Sequence, residues 1–218
     1  DDLSPTWSPD GKKIAFRSFN EDKSGFRNNR GIYVMYADGS NQRFLSSGQS
    51  PAWSPRDDKI AFVDDYSGGD ALYIINSDRS DKTLLAQNLG SFVWSPDGRR
   101  IAFIAEDDKT KVDNIYVINS DGSGRTQLTH DASKDDRWKY DLSWSSYNSN
   151  YVAFTQRRTV FDKVGDRGGR SYGDYHDEFA AFVLAIDGSN SGTIRYYDRS
   201  MLVPVWSPHG NVLAVAFE

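Results

Sequence analysis

Trp7-Ser8-Pro9-Asp10-Gly11 is the first of five occurrences of the phrase that decides the fold of this chain. The later copies begin at Trp53, Trp94, Trp144 and Trp206, so that successive tryptophans are 41 to 62 residues apart. A near-constant period of about 20–50 residues is typical of repeat architectures. The chain is therefore interpreted first as a set of repeats.

Each repeat combines two apolar runs with turn residues. The phrase is followed by a triplet such as Ile14-Ala15-Phe16, and the first four copies continue to a second run, such as Ile32-Tyr33-Val34-Met35, that ends near Asp38-Gly39-Ser40. Short runs of Ile, Val, Phe and Tyr between Gly, Pro, Asp and Ser indicate β-strands, and no segment shows a sustained helical period. We predict four antiparallel strands per repeat, A to D, with strand A ending at the tryptophan.

The turn residues explain why the strands reverse direction. Proline presets φ, aspartate hydrogen-bonds its own turn and glycine accepts a positive φ. Four antiparallel strands in about 45 residues, repeated around an axis, describe the blades of a β-propeller. We predict one all-β domain over 1–218, with blades at about 3–48, 49–89, 90–139 and 140–200 and a partial fifth blade at 201–218.

The phrase Trp-Ser-Pro-Asp-Gly-Lys-Lys-Ile-Ala-Phe, with Ile-Tyr-Val-Met-Tyr-Ala-Asp-Gly-Ser after it, resembles the repeat of TolB-like β-propellers. That family includes the propellers of tricorn-type and prolyl-oligopeptidase-type proteases. The resemblance covers essentially the whole chain and implies a propeller that is commonly six-bladed. It also implies that the repeat tryptophans are structural and wedged in the blade packing, namely Trp7, Trp53, Trp94, Trp144 and Trp206. Four and a half repeats do not close such a ring, so we expect a larger propeller or one that another chain completes.

Composition excludes several classes of protein. The chain of 218 residues contains no cysteine, which excludes disulfides and thiolate metal sites. The net charge of −5 argues against general nucleic-acid binding. No apolar run approaches the roughly 18 residues that span a bilayer, so we expect no membrane insertion. Residue 1 lies at the start of a repeat without a signal peptide, from which we expect a processed or trimmed N-terminus.

Repeat four carries the candidate binding face. The B–C and D–A connections project from one face and include the long ones, among them an insertion at 155–178. Long loops on a rigid scaffold often carry binding residues, and aromatic rings with carboxylates suit a peptide, a glycan or a divalent cation. A solvated acidic loop held down by its aromatic residues is the alternative. The predicted partner-binding residues are His130, Asp135, Asp136, Trp138, Tyr140, Arg157, Arg158, Tyr172, Tyr175 and His176.

Two chemical motifs do not support catalysis. Gly169-Arg170-Ser171-Tyr172-Gly173 matches the G-x-S-x-G pattern, but such an elbow requires a strand before it and a helix after it. The flanking residues predict neither. The three histidines are widely separated in sequence, which disfavours a zinc site. We expect no cofactor and no enzyme activity. The carboxylates and carbonyl oxygens of the chain are compatible with a bound calcium ion.

The resemblance implies a non-catalytic scaffold for protein partners in the bacterial envelope or outside the cell, which predicts a periplasmic or extracellular location. One alternative is a substrate-filter propeller of a larger peptidase or hydrolase. Another is a secreted structural subunit that self-associates into oligomers or filaments through open blade edges. A propeller scaffold serves many tasks, so these functions stay alternatives at this point.

Overall fold

The computed structural model is built from eighteen β-strands, with no helix among the residues that it describes. Those residues are 2–20, 29–130, 137–146, 149–167, 170–187, 191–195, 204–207 and 212–214. The prediction of an all-β propeller with four-stranded antiparallel blades is confirmed. The number of blades in a complete ring and the blade boundaries stay predictions.

Each of the first four sheets is a meander in which strands follow one another in chain order. Blade one contains β1 (Asp2–Trp7), β2 (Lys13–Asn20), β3 (Asn29–Tyr36) and β4 (Arg43–Ser46). Blade two contains β5 (Gln49–Trp53), β6 (Lys59–Tyr66), β7 (Gly69–Asn76) and β8 (Thr83–Gln87). Blade three contains β9 (Leu89–Trp94), β10 (Arg100–Glu106), β11 (Asp113–Asn119) and β12 (Thr126–Gln127).

Blade four has the same order but much longer central strands. It contains β13 (Arg137–Trp144), β14 (Tyr151–Arg167), β15 (Arg170–Ala185) and β16 (Ser191–Arg195). A fifth, two-stranded sheet pairs β17 (Val205–Trp206) with β18 (Leu213–Ala214). We call this last sheet half-blade five.

The tight turn after the tryptophan forms as its residues predict. In blade one, the Ser8 hydroxyl and the Lys12 backbone N–H donate to Asp10 Oδ1 over 2.7 and 3.0 Å, and Gly11 takes a φ of 68°. These hydrogen bonds, with that from Ser8 first, lower the pKa of the Asp10 carboxyl below its ordinary value. Blade three repeats the arrangement around Asp97. The turn is therefore stabilised by hydrogen bonds among its own residues.

The core lies between blades. Three buried clusters each combine residues of two successive blades, and in each the repeat tryptophan of the later blade packs on the earlier one. Trp53, Trp94 and Trp144 keep 5%, 7% and 6% of their surface exposed. Trp7 departs from the expected wedge, because 57% of its surface is exposed and no described blade covers it. Trp206 is half-buried against blade four.

The insertion in repeat four differs from the predicted long connection. It is the continuation of two strands, because β14 and β15 pair from Tyr151–Ala185 out to Arg167–Arg170 with one bulge near Lys163. Pairs of side chains that face each other across a hairpin stabilise its strands, even where Gly and Asp are frequent. We call the part beyond the blade, 159–167 with 170–177, the ribbon.

Candidate binding face around repeat four

The ribbon projects from blade four as a two-stranded arm. The last pair between β13 and β14 is Arg137 with Arg158, and the pairing of β16 with β15 ends at Ala180 with Arg195. Beyond these positions, within the described ranges, β14 and β15 pair only with each other. At 3.3 Å per residue, the nine residues of 159–167 reach about 30 Å. The ribbon is therefore longer than the B–C connections of blades two and three.

One face of the ribbon carries a histidine between two carboxylates. His176 lies opposite Val160 in the strand pair. Its Nδ1 is 2.9 Å from Asp162 Oδ2, and its Nε2 is 3.7 Å from Glu178 Oε1. Both ring nitrogens therefore face negatively charged oxygens. The histidine and the two carboxylates form a compact polar cluster on this face.

The opposite face carries an exposed aromatic pair. Phe161 lies directly across from Tyr175, with ring centroids 4.9 Å apart and planes tilted by 44°. Tyr175 is 74% exposed and Phe161 is 37% exposed. Nearby, Asp177 accepts a hydrogen bond of 2.8 Å from the Thr159 hydroxyl and lies 3.6 Å from the Arg157 guanidinium. The aromatic pair is thus open to solvent.

The structure brings some of the predicted residues together and separates others. Arg157, Arg158, Tyr172, Tyr175 and His176 all lie on the paired strands β14 and β15. In β13, Trp138 stands opposite Arg157 and Tyr140 opposite Thr155 in the backbone pairing. His130 is exposed after β12. Asp135 and Asp136 lie outside the described residues.

Sequence reasoning missed two residues of this face, Phe161 and Asp162. Both lie in the insertion, where the cross-strand pairs Val160–His176, Phe161–Tyr175 and Asp162–Asp174 were the available signal. Interpreting the insertion as one loop hid those pairs, because cross-strand partners are recognised only after the hairpin is aligned.

The G-x-S-x-G motif lacks the geometry of a nucleophile elbow. Ser171 lies near the start of β15 and pairs with Asp166 in the ribbon. The expectation that no strand precedes the motif is wrong, because β14 runs to Arg167. A strand also follows, where the elbow needs a helix. Among the described side chains, no three His, Asp or Glu residues gather around a possible metal position.

A concave surface lies between blades two and three, on the face that carries the A–B and C–D turns. It is a cleft of about 440 Å³ whose lining includes Arg56, Asp57, Asp97, Arg99 and Asp121. Burial opposes ionisation of Asp97, but hydrogen bonds from Ser95 and Arg99 outweigh it and lower the pKa of the carboxyl. The cleft is lined by charges of both signs. The exposed aromatic pair makes the ribbon the stronger candidate for a partner.

Comparison with known proteins agrees with the TolB-like repeat. The chain is 43% identical over 108 residues to a "Protein TolB homolog" of Chlorobium chlorochromatii, a match that covers 47% of this chain and 23% of the homolog. The matched part thus spans less than a quarter of that curated relative. No family model matches the chain. The predicted resemblance to TolB-like repeats is confirmed.

Solved structures share the fold at low sequence identity. A structure described as TolB from Agrobacterium tumefaciens superposes with a TM-score of 0.58 at 18% identity, over 99% of this chain and 89% of the other. The β-propeller domain of the Trilobed protease from Pyrococcus furiosus gives a TM-score of 0.62 at 12% identity, over 95% and 60%. Both likenesses establish a propeller fold. The part of the chain that the structure describes contains no helix long and apolar enough to cross a membrane.

Proposed function

We propose that this TolB-like propeller is a non-catalytic scaffold that binds protein partners through the face around repeat four, in the bacterial envelope or outside the cell. The observation that carries the proposal is the ribbon with its exposed pair of Phe161 and Tyr175. Similarity to a TolB homolog supports the proposed periplasmic or extracellular location. The propeller would act as a rigid scaffold, and the ribbon would contact the protein partner.

A partner that covers the exposed rings would stabilise the ribbon. A two-stranded ribbon is only marginally stable alone in water, and aromatic residues are enriched among the residues that dominate binding energy. Covering Tyr175, which is 74% exposed and contacts the Phe161 ring, would bury apolar surface. A partner surface that covers both rings would therefore stabilise the ribbon and the complex together.

The test is partner capture from an envelope extract of the source organism. We expect a protein retained by the wild-type protein to be lost with Tyr175→Ser and with Phe161→Ser. The matched control is Tyr66→Ser, since Tyr66 is 43% exposed on the separate β6–β7 turn. Circular dichroism checks that each variant keeps its β structure. Equal capture by all variants, or the absence of any retained protein, would contradict the proposal.

A second candidate is a substrate-filter propeller of a larger peptidase. The likeness to the propeller domain of a protease favours it, as does the fact that the chain matches less than a quarter of its curated relative. A serine-reactive fluorophosphonate probe applied to the full-length natural protein would separate the two candidates. Labelling outside residues 1–218 would support the peptidase, whereas an unlabelled protein would support the scaffold.

A further inference from the structure

The cleft between blades two and three continues into a smaller cavity. This cavity has a volume of about 200 Å³, and its lining includes Lys59, Thr83, Ser120 and Asp121. Ser120 and Asp121 also line the cleft, so the two spaces meet at these residues. Both spaces lie on the face of the A–B and C–D turns, whereas the ribbon extends a B–C connection. A ligand of the cavity is therefore separate from a partner of the ribbon.

The contact between two successive blades, which we call a junction, is filled by polar side chains between blades one and two. Lys13 Nζ donates to Ser77 Oγ over 2.9 Å and lies 3.1 Å from both carboxylate oxygens of Asp58. The Ser77 hydroxyl donates to Asp58 Oδ2, and Arg43 Nη2 donates to the Ser77 carbonyl oxygen. Two cations and one carboxylate therefore meet at a single serine.

Backbone hydrogen bonds identify the equivalent serine one blade later. The Ser77 N–H donates to the Asp58 carbonyl oxygen over 2.8 Å. In blade three, the Ser120 N–H donates to the Arg99 carbonyl oxygen over the same distance. Ser120 is therefore equivalent to Ser77, and Arg99 stands where blade two has Asp58. The junction of blades two and three thus has a cation in place of the bridging carboxylate.

Strand positions identify the two equivalent side chains of the earlier blade. Lys13 and Lys59 are the first residues of β2 and β6, and each pairs with the last residue of the following strand. Arg43 and Thr83 are the first residues of β4 and β8. Blade two therefore keeps the lysine but has a short, uncharged side chain where blade one has an arginine. Because Thr83 lines the cavity, the open space corresponds to the place that the Arg43 side chain fills one blade earlier.

The junction of blades two and three keeps unmatched polar groups of both kinds. Within the described range 29–130, the half-buried Lys59 ammonium and the Ser120 hydroxyl have no hydrogen bond or ion pair. Together with Arg99, Lys59 favours an anion beside it, because a partly buried charge is stabilised by a partner of opposite sign. The carboxylates of Asp81 and Asp121 line the same cavity and favour a cation. A ligand that carries both charges would complete the network.

We propose that the junction of blades two and three binds an arginine ligand, either free arginine or the C-terminal arginine of a peptide. The carboxylate of the ligand lies beside Lys59 and the Ser120 hydroxyl, as Asp58 does at the preceding junction. The guanidinium lies where Arg43 does at that junction, and donates to the Ser120 carbonyl oxygen. Charge-assisted hydrogen bonds of this kind are among the strong ones in proteins. Since both groups contact one serine, the three methylenes of arginine can span the distance between them.

Isothermal titration calorimetry of the full-length natural protein tests the proposal. We expect L-arginine, a tripeptide that ends in arginine, or both to bind at one site. Agmatine lacks the carboxylate and L-citrulline lacks the positive charge, so each should bind at least about tenfold more weakly than L-arginine. Tighter binding of the tripeptide than of L-arginine would identify a peptide C-terminus as the source. The reverse order would identify the free amino acid.

Three variants localise the site. Thr83→Arg supplies the side chain that blade one has, so it should fill the cavity and abolish binding of L-arginine. Lys59→Gln removes the cation beside the carboxylate and should weaken binding about tenfold. The matched control is Thr126→Arg, the same change at the equivalent position of blade three and outside the cavity, which should bind like wild type. Thr83 and Thr126 make the same local hydrogen bond, to the carbonyl oxygen two residues earlier, over 3.2 and 3.3 Å.

Four outcomes would overturn the proposal. Absence of heat from both L-arginine and the tripeptide at millimolar concentrations would exclude the ligand class. Equal binding of agmatine and L-arginine would exclude the role of the carboxylate, and equal binding of L-citrulline would exclude that of the positive charge. Unchanged binding by Thr83→Arg would show that the ligand lies elsewhere. Circular dichroism checks the fold of each variant, and if Thr83→Arg does not fold, unchanged binding by Lys59→Gln leads to the same conclusion.

Discussion

Replacing Trp94 by alanine should be one of the most destabilising single changes in the chain. The indole is 7% exposed within the cluster that joins blades two and three, and it donates to the Ala52 carbonyl oxygen. Truncating a buried tryptophan costs about 3–5 kcal/mol through lost contacts and the remaining cavity. About 1 kcal/mol of that loss comes from the hydrogen bond. Urea denaturation followed by far-UV circular dichroism measures the change in the free energy of unfolding.

Two control variants separate the contributions. Trp94→Phe keeps most of the ring but removes the N–H donor, so it should lose about 1–2 kcal/mol. Tyr66→Ala truncates an aromatic ring that is 43% exposed and should cost well under 1 kcal/mol. If Trp94→Ala were no more destabilising than Tyr66→Ala, the tryptophan would not be the wedge between these blades. That result would contradict the packing of the repeat tryptophans between successive blades.

Three further predictions concern residues in the turns and connections between strands. Arg79 has a φ of 80°, and Arg79→Gly should raise the free energy of unfolding by about 0.5–1 kcal/mol in urea denaturation. Gly48→Ala should lower it by more than 1 kcal/mol, because φ is +127° and the new Cβ would lie 2.5 Å from the Val63 carbonyl oxygen. The pKa of Asp97 is lowered from 3.8, so its carboxylate stabilises the fold above that pH and loses this effect as the pH falls through the folded-state pKa. Asp97→Asn should therefore lower the melting temperature at pH 7, with a difference from wild type that shrinks below about pH 4.

Each of these predictions has a matched control and a contrary outcome. For the Arg79 turn, Gly39→Ala is the reverse change at the equivalent position, where φ is 83°, and should destabilise. Equal stability of Arg79→Gly and wild type would show that the left-handed conformation carries no strain. For Gly48, the control Gly11→Ala has a positive φ but an open Cβ position, so the larger loss should occur at Gly48. A constant difference between Asp97→Asn and wild type from pH 7 to pH 3 would refute the role of that carboxylate.

The blade architecture was predictable because each repeat encodes its own turns and strands locally. Asp10 and Gly11 adopt the hydrogen bonds and φ that their residue types favour. The ribbon was not predictable in this way, since its order depends on pairs such as Phe161 with Tyr175 that are 14 positions apart and visible only after alignment. Trp7 carries the same motif as Trp94, but it is 57% exposed and Trp94 is 7% exposed, a difference that the local sequence does not reveal.

Each buried cluster is shared by two successive blades. A gene that encodes this repeat should therefore gain or lose whole repeats rather than parts of one. Removing or duplicating one whole repeat leaves every junction with the tryptophan of one blade packed on the triplet alanine of the blade before it. A deletion of half a repeat leaves a two-stranded blade, which covers only part of each neighbouring blade. Lineages that carry this repeat should therefore differ by whole blades, with the breakpoints falling at equivalent positions of the repeat.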